Sequence, residues 1–138
     1  MMLFDTDMLT LYFLGHPRVL ERFEAAEKSP VTSIVSRIEV LQGRFDSVVK
    51  AKDADELLRA QTRLTAAEND LANVAIVPFD HAAGIEFDRM RQNKRLKSIG
   101  RKDLLIACIA MAHRATLVTR NLRHFRLVPG LRVENWAD

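Results

Sequence analysis

The chain has 138 residues, 48% of them hydrophobic, which is the size of one compact domain able to fold around its own core without disulfides or structural metal. Its 21 Lys and Arg against 18 Asp and Glu leave a formal charge of +3, an excess that points to a nucleic-acid partner only where it is clustered. One cysteine excludes an intramolecular disulfide, no charged-then-apolar leader opens the sequence, and no apolar run nears the roughly 20 residues that cross a bilayer, so a cytoplasmic protein is expected.

Met1 to Phe4 is a short apolar run broken by Asp5, and Met8, Leu9, Leu11, Tyr12 and Leu14 then keep helical spacing until Gly15. A strand followed by a helix is expected. Beyond Pro17, Val19, Leu20 and Phe23 mark a second helix ending near Ser29 and Pro30, and the β-branched stretch Val31 to Val35 predicts a second strand. Ile34, Val35, Ile38, Leu41, Phe45 and Val48 recur at helical intervals, so an amphipathic helix grows from about Ser33, with Glu39 bordering its apolar stripe. Lys52 to Asn69 is a polar helix with a thin seam of Leu57, Leu58, Leu64 and Leu71, and Asp53 is placed to cap it. Such a seam suits a protruding hairpin or a dimer contact.

Val74 to Val77 predicts a third strand closed by Pro78, and Asp80 to Lys97 a helix with a basic end. Leu104 to Met111 is apolar on every side, the pattern of a helix buried in the middle of the molecule, and Asp103 stands at its start. Leu117 to Thr119 predicts a fourth strand, Asn121 to Phe125 a turn, and Leu131 to Val133 a last strand. Strands alternating with helices imply an α/β domain over 1–138, with a parallel sheet covered on both faces.

In such a sheet, ligands bind beyond the carboxyl ends of the strands. Asp5 and Asn121 follow strands directly, Glu39 lies one turn into the helix after the second strand, and Asp103 opens the buried helix, so all four can face one cavity. Oxygen donors of this kind suit a hard cation, Mg²⁺ or Mn²⁺, since acids held close repel unless positive charge lies between them. Taken singly, each residue has a plainer role: Asp5 and Asp103 as helix caps, Glu39 as a partner of Arg37 or Arg44, Asn121 as a turn residue. Their joint placement is what argues for a site. Asp7 reads as a solvated first-turn acid, His124 as a surface residue, and Cys108, Met111 and Phe125 as core. His16, His81 and His113 lack the spacing of zinc ligands.

The runs Leu3-Phe4-Asp5-Thr6-Asp7-Met8-Leu9, Ser36-Arg37-Ile38-Glu39-Val40-Leu41-Gln42-Gly43, Asp103-Leu104-Leu105-Ile106-Ala107 and Leu117-Val118-Thr119-Arg120-Asn121 resemble the successive motifs of PIN-domain ribonucleases, most closely the VapC-type toxins of toxin–antitoxin pairs. Leu131 to Trp136 resembles that group too. The resemblance implies a three-layer α/β/α sandwich, a Mg²⁺- or Mn²⁺-dependent endoribonuclease, a homodimer, and a cognate antitoxin whose tail covers the site. By motif, Asp5, Glu39 and Asp103 match the core acidic positions as metal ligands and catalytic groups. Asn121 matches a fourth position, Asp in many members, keeping an oxygen but losing a charge. Thr6 and Thr119 are expected to donate hydrogen bonds to carboxylate or phosphate. Lys94, Arg95, Lys97, Arg101 and Lys102, with Arg89 and Arg91, crowd the approach to Asp103 and are expected to attract RNA phosphates. Two alternatives stand beside this reading. One is a non-catalytic RNA- or partner-binding module of the same fold; the other, from Phe4-Asp5-Thr6-Asp7, is a haloacid-dehalogenase-like phosphatase.

Overall fold

A computed structural model describes all 138 residues. Five short strands, β1 (Met2–Phe4), β2 (Val31–Ser33), β3 (Ile76–Val77), β4 (Thr116–Val118) and β5 (Arg132–Glu134), form one sheet in the order β3-β2-β1-β4-β5. Every neighbouring pair is parallel. The chain moves outward from β1 through β2 to β3, then crosses back to lay β4 on the other side of β1. The reversal therefore falls between β1 and β4, where the connections leaving the two strands diverge and open a crevice.

The alternation of strand side chains assigns the two faces. Leu3 and Leu117 enter one core, with Ile106, Ala107, Cys108, Ile109 and Ala110 of α6 (Arg101–Ala112) and Ala83 and Met90 of α5 (His81–Met90). Phe4 and Val118 enter the other, with Met8 and Leu9 of α1 (Thr6–Phe13), Val19 of α2 (Pro17–Ala25), Leu71 of α4 (Ala54–Ala72) and Trp136. α3 (Ile34–Val49) contributes to both, through Val35 on one side and Val40 and Leu41 on the other. This is the three-layer sandwich with a parallel centre that the sequence predicts.

Local chemistry sets several boundaries. Gly15 takes φ +80° after α1, and its N–H and that of His16 bond back to Tyr12 and Leu11, a Schellman close that a Cβ would strain. Ser33 ends β2 and caps α3 through its hydroxyl, so Ile34 and Val35, expected in the strand, belong to the helix instead. Asp53 caps α4 as predicted, and α3 and α4 pack as a hairpin.

The helix expected over 80–97 stops at Met90, and Lys94–Leu96 forms a separate 3₁₀ turn capped by Asn93. A straight helix would carry Leu96 about 240° around from buried Met90 at ~100° per residue, facing solvent. Breaking the helix lets both Leu96 and Ile99 reach the core. Asp103 is not the cap of α6 either: Gly100 holds that position, and Asp103 lies in the first turn. The turn expected over 121–125 closes into a short helix, α7 (Leu122–Phe125), because Phe125 is wholly buried beneath it. No helix is long and apolar enough to cross a membrane.

Burial pushes the Cys108 thiol up to about 11, with the carboxylate of Glu86 acting in the same direction, and its Sγ rests 3.7 Å from Met90 Sδ. A neutral, enclosed thiol is a poor nucleophile. The native protein is expected to leave Ellman's reagent unreacted at pH 8, with one thiol released on denaturation. Ile109→Ala, which empties a site with no exposed surface, is expected to cost about 2–5 kcal/mol in denaturant titration.

Candidate metal centre

Asp5 follows β1 at the point of reversal, its backbone N–H donating to Val118 O and so fixing it against the end of β4. Only 5% exposed, its carboxylate accepts from Met8 N–H at 2.8 Å through Oδ1 and from the Thr119 hydroxyl at 2.6 Å through Oδ2. The helix-capping role and the site role are thus both filled by one side chain. Burial lifts its pKa from 3.8 to about 6 against the lowering effect of these two donors; the negative charges of Asp7 and Asp103 add to the rise. The cation that acts on it, Arg120, is itself forked onto Asp7.

Asp103, half-buried in the first turn of α6, is raised by burial and lowered by nearby His124. Its influence on Asp5 places the two acids within electrostatic reach of each other. Glu39 comes from a third element and does not pair with Arg37 or Arg44. Instead Thr6 Oγ lies 2.9 Å from both Glu39 Oε1 and Ser36 Oγ. Thr6 has one proton, and the carboxylate is the stronger acceptor, so Thr6 donates to Glu39 and accepts from Ser36. Ser36 Oγ is also 3.4 Å from Ser33 Oγ. A row of hydroxyls thus runs from the α3 cap to the acid.

Asn121 closes the fourth side. Its backbone N–H donates to Thr119 Oγ at 2.9 Å, so Thr119 both accepts from the loop and donates to Asp5. Its side chain does not cap α7 but lies 3.0 Å from His124 Nδ1. The predicted residues Asp5, Thr6, Glu39, Asp103, Thr119 and Asn121 therefore meet at one end of the sheet. As they stand, no three His, Cys, Asp or Glu side chains form a ready-made metal cage. Mutual repulsion of the acids opposes a closer approach. The donor set, three carboxylates and an amide, is nonetheless of the oxygen kind a hard divalent ion takes, and burial pushes one of the acids up to about 6.

Three neighbours escape sequence reading. Ser36 carries a usable signal, standing one helical turn before Glu39 on the same face. His124, read as surface, sits against Asn121 and acts on Asp103. Arg120 forks onto Asp7 with contacts of 2.7 and 3.2 Å, tying the loop after β4 to the first turn of α1, and nothing in the sequence announces a pair 113 residues apart. Lys94, Arg95, Lys97, Arg101 and Lys102 are all exposed, and none is engaged in an ion pair. Lys94 and Arg95 ride on the 3₁₀ turn, while Arg101 and Lys102 are the first residues of α6.

The PIN-domain family profile matches residues 2–131, and the chain belongs to that family. It is similar to ribonuclease VapC2 of Rickettsia felis, 38% identical over 68 residues, a stretch that spans 48% of this chain and about half, 51%, of that one. It is also 25% identical over 136 residues to the tRNA(fMet)-specific endonuclease VapC of Salmonella typhimurium, covering 96% of each chain. Among solved structures, VapBC2 from R. felis bound to a promoter DNA fragment superposes with a TM-score of 0.77 at 27% identity over 98% of both chains. The phosphatase alternative finds no support in this kinship.

Because the raised carboxyl holds its proton more tightly folded than unfolded, Asp5 favours the folded state fully below about pH 3.8 and loses that contribution as pH rises through about 6. Asp5→Asn, which stays neutral and can still accept from Met8 N–H, escapes the loss. In EDTA, its stability relative to wild type is expected to improve by about 2.4 kcal/mol between pH 4 and 7, the share of the shift that falls in that window at ~1.4 kcal/mol per unit. A pH-independent difference in urea titrations would contradict the buried acid.

Proposed function

We propose that this chain is a divalent-metal-dependent endoribonuclease that hydrolyses RNA phosphodiesters and acts as the toxin of a toxin–antitoxin pair. One observation carries the reading: in a PIN-family chain, an acid raised by burial stands at the sheet's point of reversal, among oxygen donors from three other segments. Asp5, Asp103 and Glu39 would hold Mg²⁺ or Mn²⁺, and Asn121 completes the rim as a neutral oxygen. Bound there, the ion would supply a water acidic enough to attack phosphorus and would offset charge on the leaving oxygen.

The protein's own groups do the positioning. Thr119 holds Asp5 against rotation and orders the Asn121 loop through the same oxygen. Thr6 fixes one oxygen of Glu39 and leaves the other for the ion or its water. The free cations at Lys94, Arg95, Lys97, Arg101 and Lys102 draw in the phosphates that the acids repel. The relatives assembled as VapBC complexes support a cognate antitoxin. Apolar Ile38, Phe45 and Val49 of α3 and Leu58 of α4 are exposed on the hairpin, which supports a protein partner and a homodimer.

The purified chain is expected to cut a mixed pool of structured RNAs in Mg²⁺ or Mn²⁺, to stop in EDTA, and to lose cleavage to background in Asp5→Asn and Asp103→Asn. Uncut RNA with either ion, or full activity in Asp5→Asn, would overturn the assignment. The non-catalytic alternative is separated by the same measurement. Replacing Lys94 and Arg95 by Gln is expected to weaken RNA binding and to flatten the slope of log affinity against log salt by about 1.4, two contacts at roughly 0.7 each for a single strand. An unchanged slope would assign those residues to solvent alone.

A further inference from the structure

A cavity of about 490 Å³ is lined by Phe87, Arg91, Gln92, Arg101 and Leu104, the last two from the same helical turn as Asp103. It opens between the end of α5 and the first turn of α6, and it contains no carboxylate. Arg101 stacks its guanidinium over the Phe87 ring at 5.0 Å from the centroid, and Phe79 braces that ring edge-on at 6.4 Å. The guanidinium has no carboxylate partner, so its plane is held by the aromatic face alone.

We propose that this cavity receives one unpaired nucleobase of the RNA, stacked on the Arg101–Phe87 platform, while the adjoining phosphate is presented to the acids. The proposal rests on the ribonuclease reading and adds to it a base-stacking subsite between α5 and α6. A planar cation lying on an aromatic ring is the surface on which unstacked bases settle, and stacking of this kind tolerates any base. Gln92 adds an amide with both donors and an acceptor, able to meet a base edge, and Arg91 adds charge for the phosphate chain. Leu104 supplies an apolar wall.

The register on α6 joins the two sites. Arg101 and Leu104 are about 60° apart on the helical wheel, and Asp103 is about another 100° round, by the ~100° step. Asp103 thus lies about 160° from Arg101 and about 100° from Leu104, so cavity and acid sit on different sides of the same first turn, joined across the amino end of the helix. A strand passing over the amino end of α6 meets the base pocket and the acid in succession.

The test uses the metal-free protein, to prevent cleavage, and single-stranded oligoribonucleotides with 2-aminopurine at successive positions. Wild type is expected to quench the fluorophore at one position. Phe87→Leu, which keeps most of the packing volume, and Arg101→Lys, which keeps the charge but loses the plane, are each expected to bind roughly tenfold more weakly, with that quenching gone. An abasic nucleotide at the same position is expected to weaken wild type about as much and to cost Phe87→Leu almost nothing, since the two changes remove the same contact. Melting temperature and elution volume accompany each measurement. Unchanged affinity in a folded Phe87→Leu, additive losses with the abasic strand, or a shift of oligomeric state in place of the RNA effect would each overturn the base pocket. Metal-dependent cleavage retained in wild type under those outcomes would leave the nuclease reading standing. Failure of wild type to bind or cut any RNA would end both.

Discussion

A negative charge is buried where the sheet reverses direction, and the rest of the architecture serves or tolerates it. Asp5 is fixed by three bonds from separate parts of the fold: its own N–H to β4, the Met8 N–H of α1 and the Thr119 hydroxyl. Burial pushes its carboxyl up to about 6 against the lowering effect of the Thr119 and Met8 donors, neither of which carries a full positive charge. A fold seeking stability alone would put a neutral residue there. Buried acids with a raised pKa of this kind are found more often at functional sites than in packing cores.

The surroundings divide the work between rigid and adjustable parts. Asp5 stands on the sheet, Asp103 on the helix that runs through the core, and Glu39 on the more exposed side of α3. Glu39 has the longest side chain of the three and is held by a single Thr6 hydroxyl, while the Asp103 carboxyl has no hydrogen-bond partner. This accounts for a site whose oxygen donors gather at one end of the sheet without forming a closed cage in advance.

Asn121 and His124 give this chain a less acidic rim than the four-acid pattern its motifs resemble. One carboxylate charge becomes an amide, while the imidazole beside it lowers Asp103 against the effect of burial and so favours its charged form. The Asp7–Arg120 fork removes a further negative charge from the rim while tying it down. The site is thus softened on the side that the β4–α7 loop forms.

The alternation of short strands and helices, the apolar sequence of α6, the cap Asp53 and the stop at Gly15 follow from local propensity and periodicity, which is why the layered fold could be read directly from the residues, although the Ser33 cap that ends β2 was not. The positions of Asp5, Asp103, Glu39 and Asn121 at element ends could be read as well, because a parallel sheet sends all its carboxyl ends the same way. What tertiary structure alone decided was the pairing across distance. The strand order placed Thr119 on Asp5, packing stopped α5 at Met90 so that Leu96 and Ile99 could be buried, and Arg101 met Phe87 and Arg120 met Asp7 only after the chain had closed. Periodicity reports which face of an element is apolar; it carries no information about which other element will cover that face, and the chemistry of this site lies in those meetings.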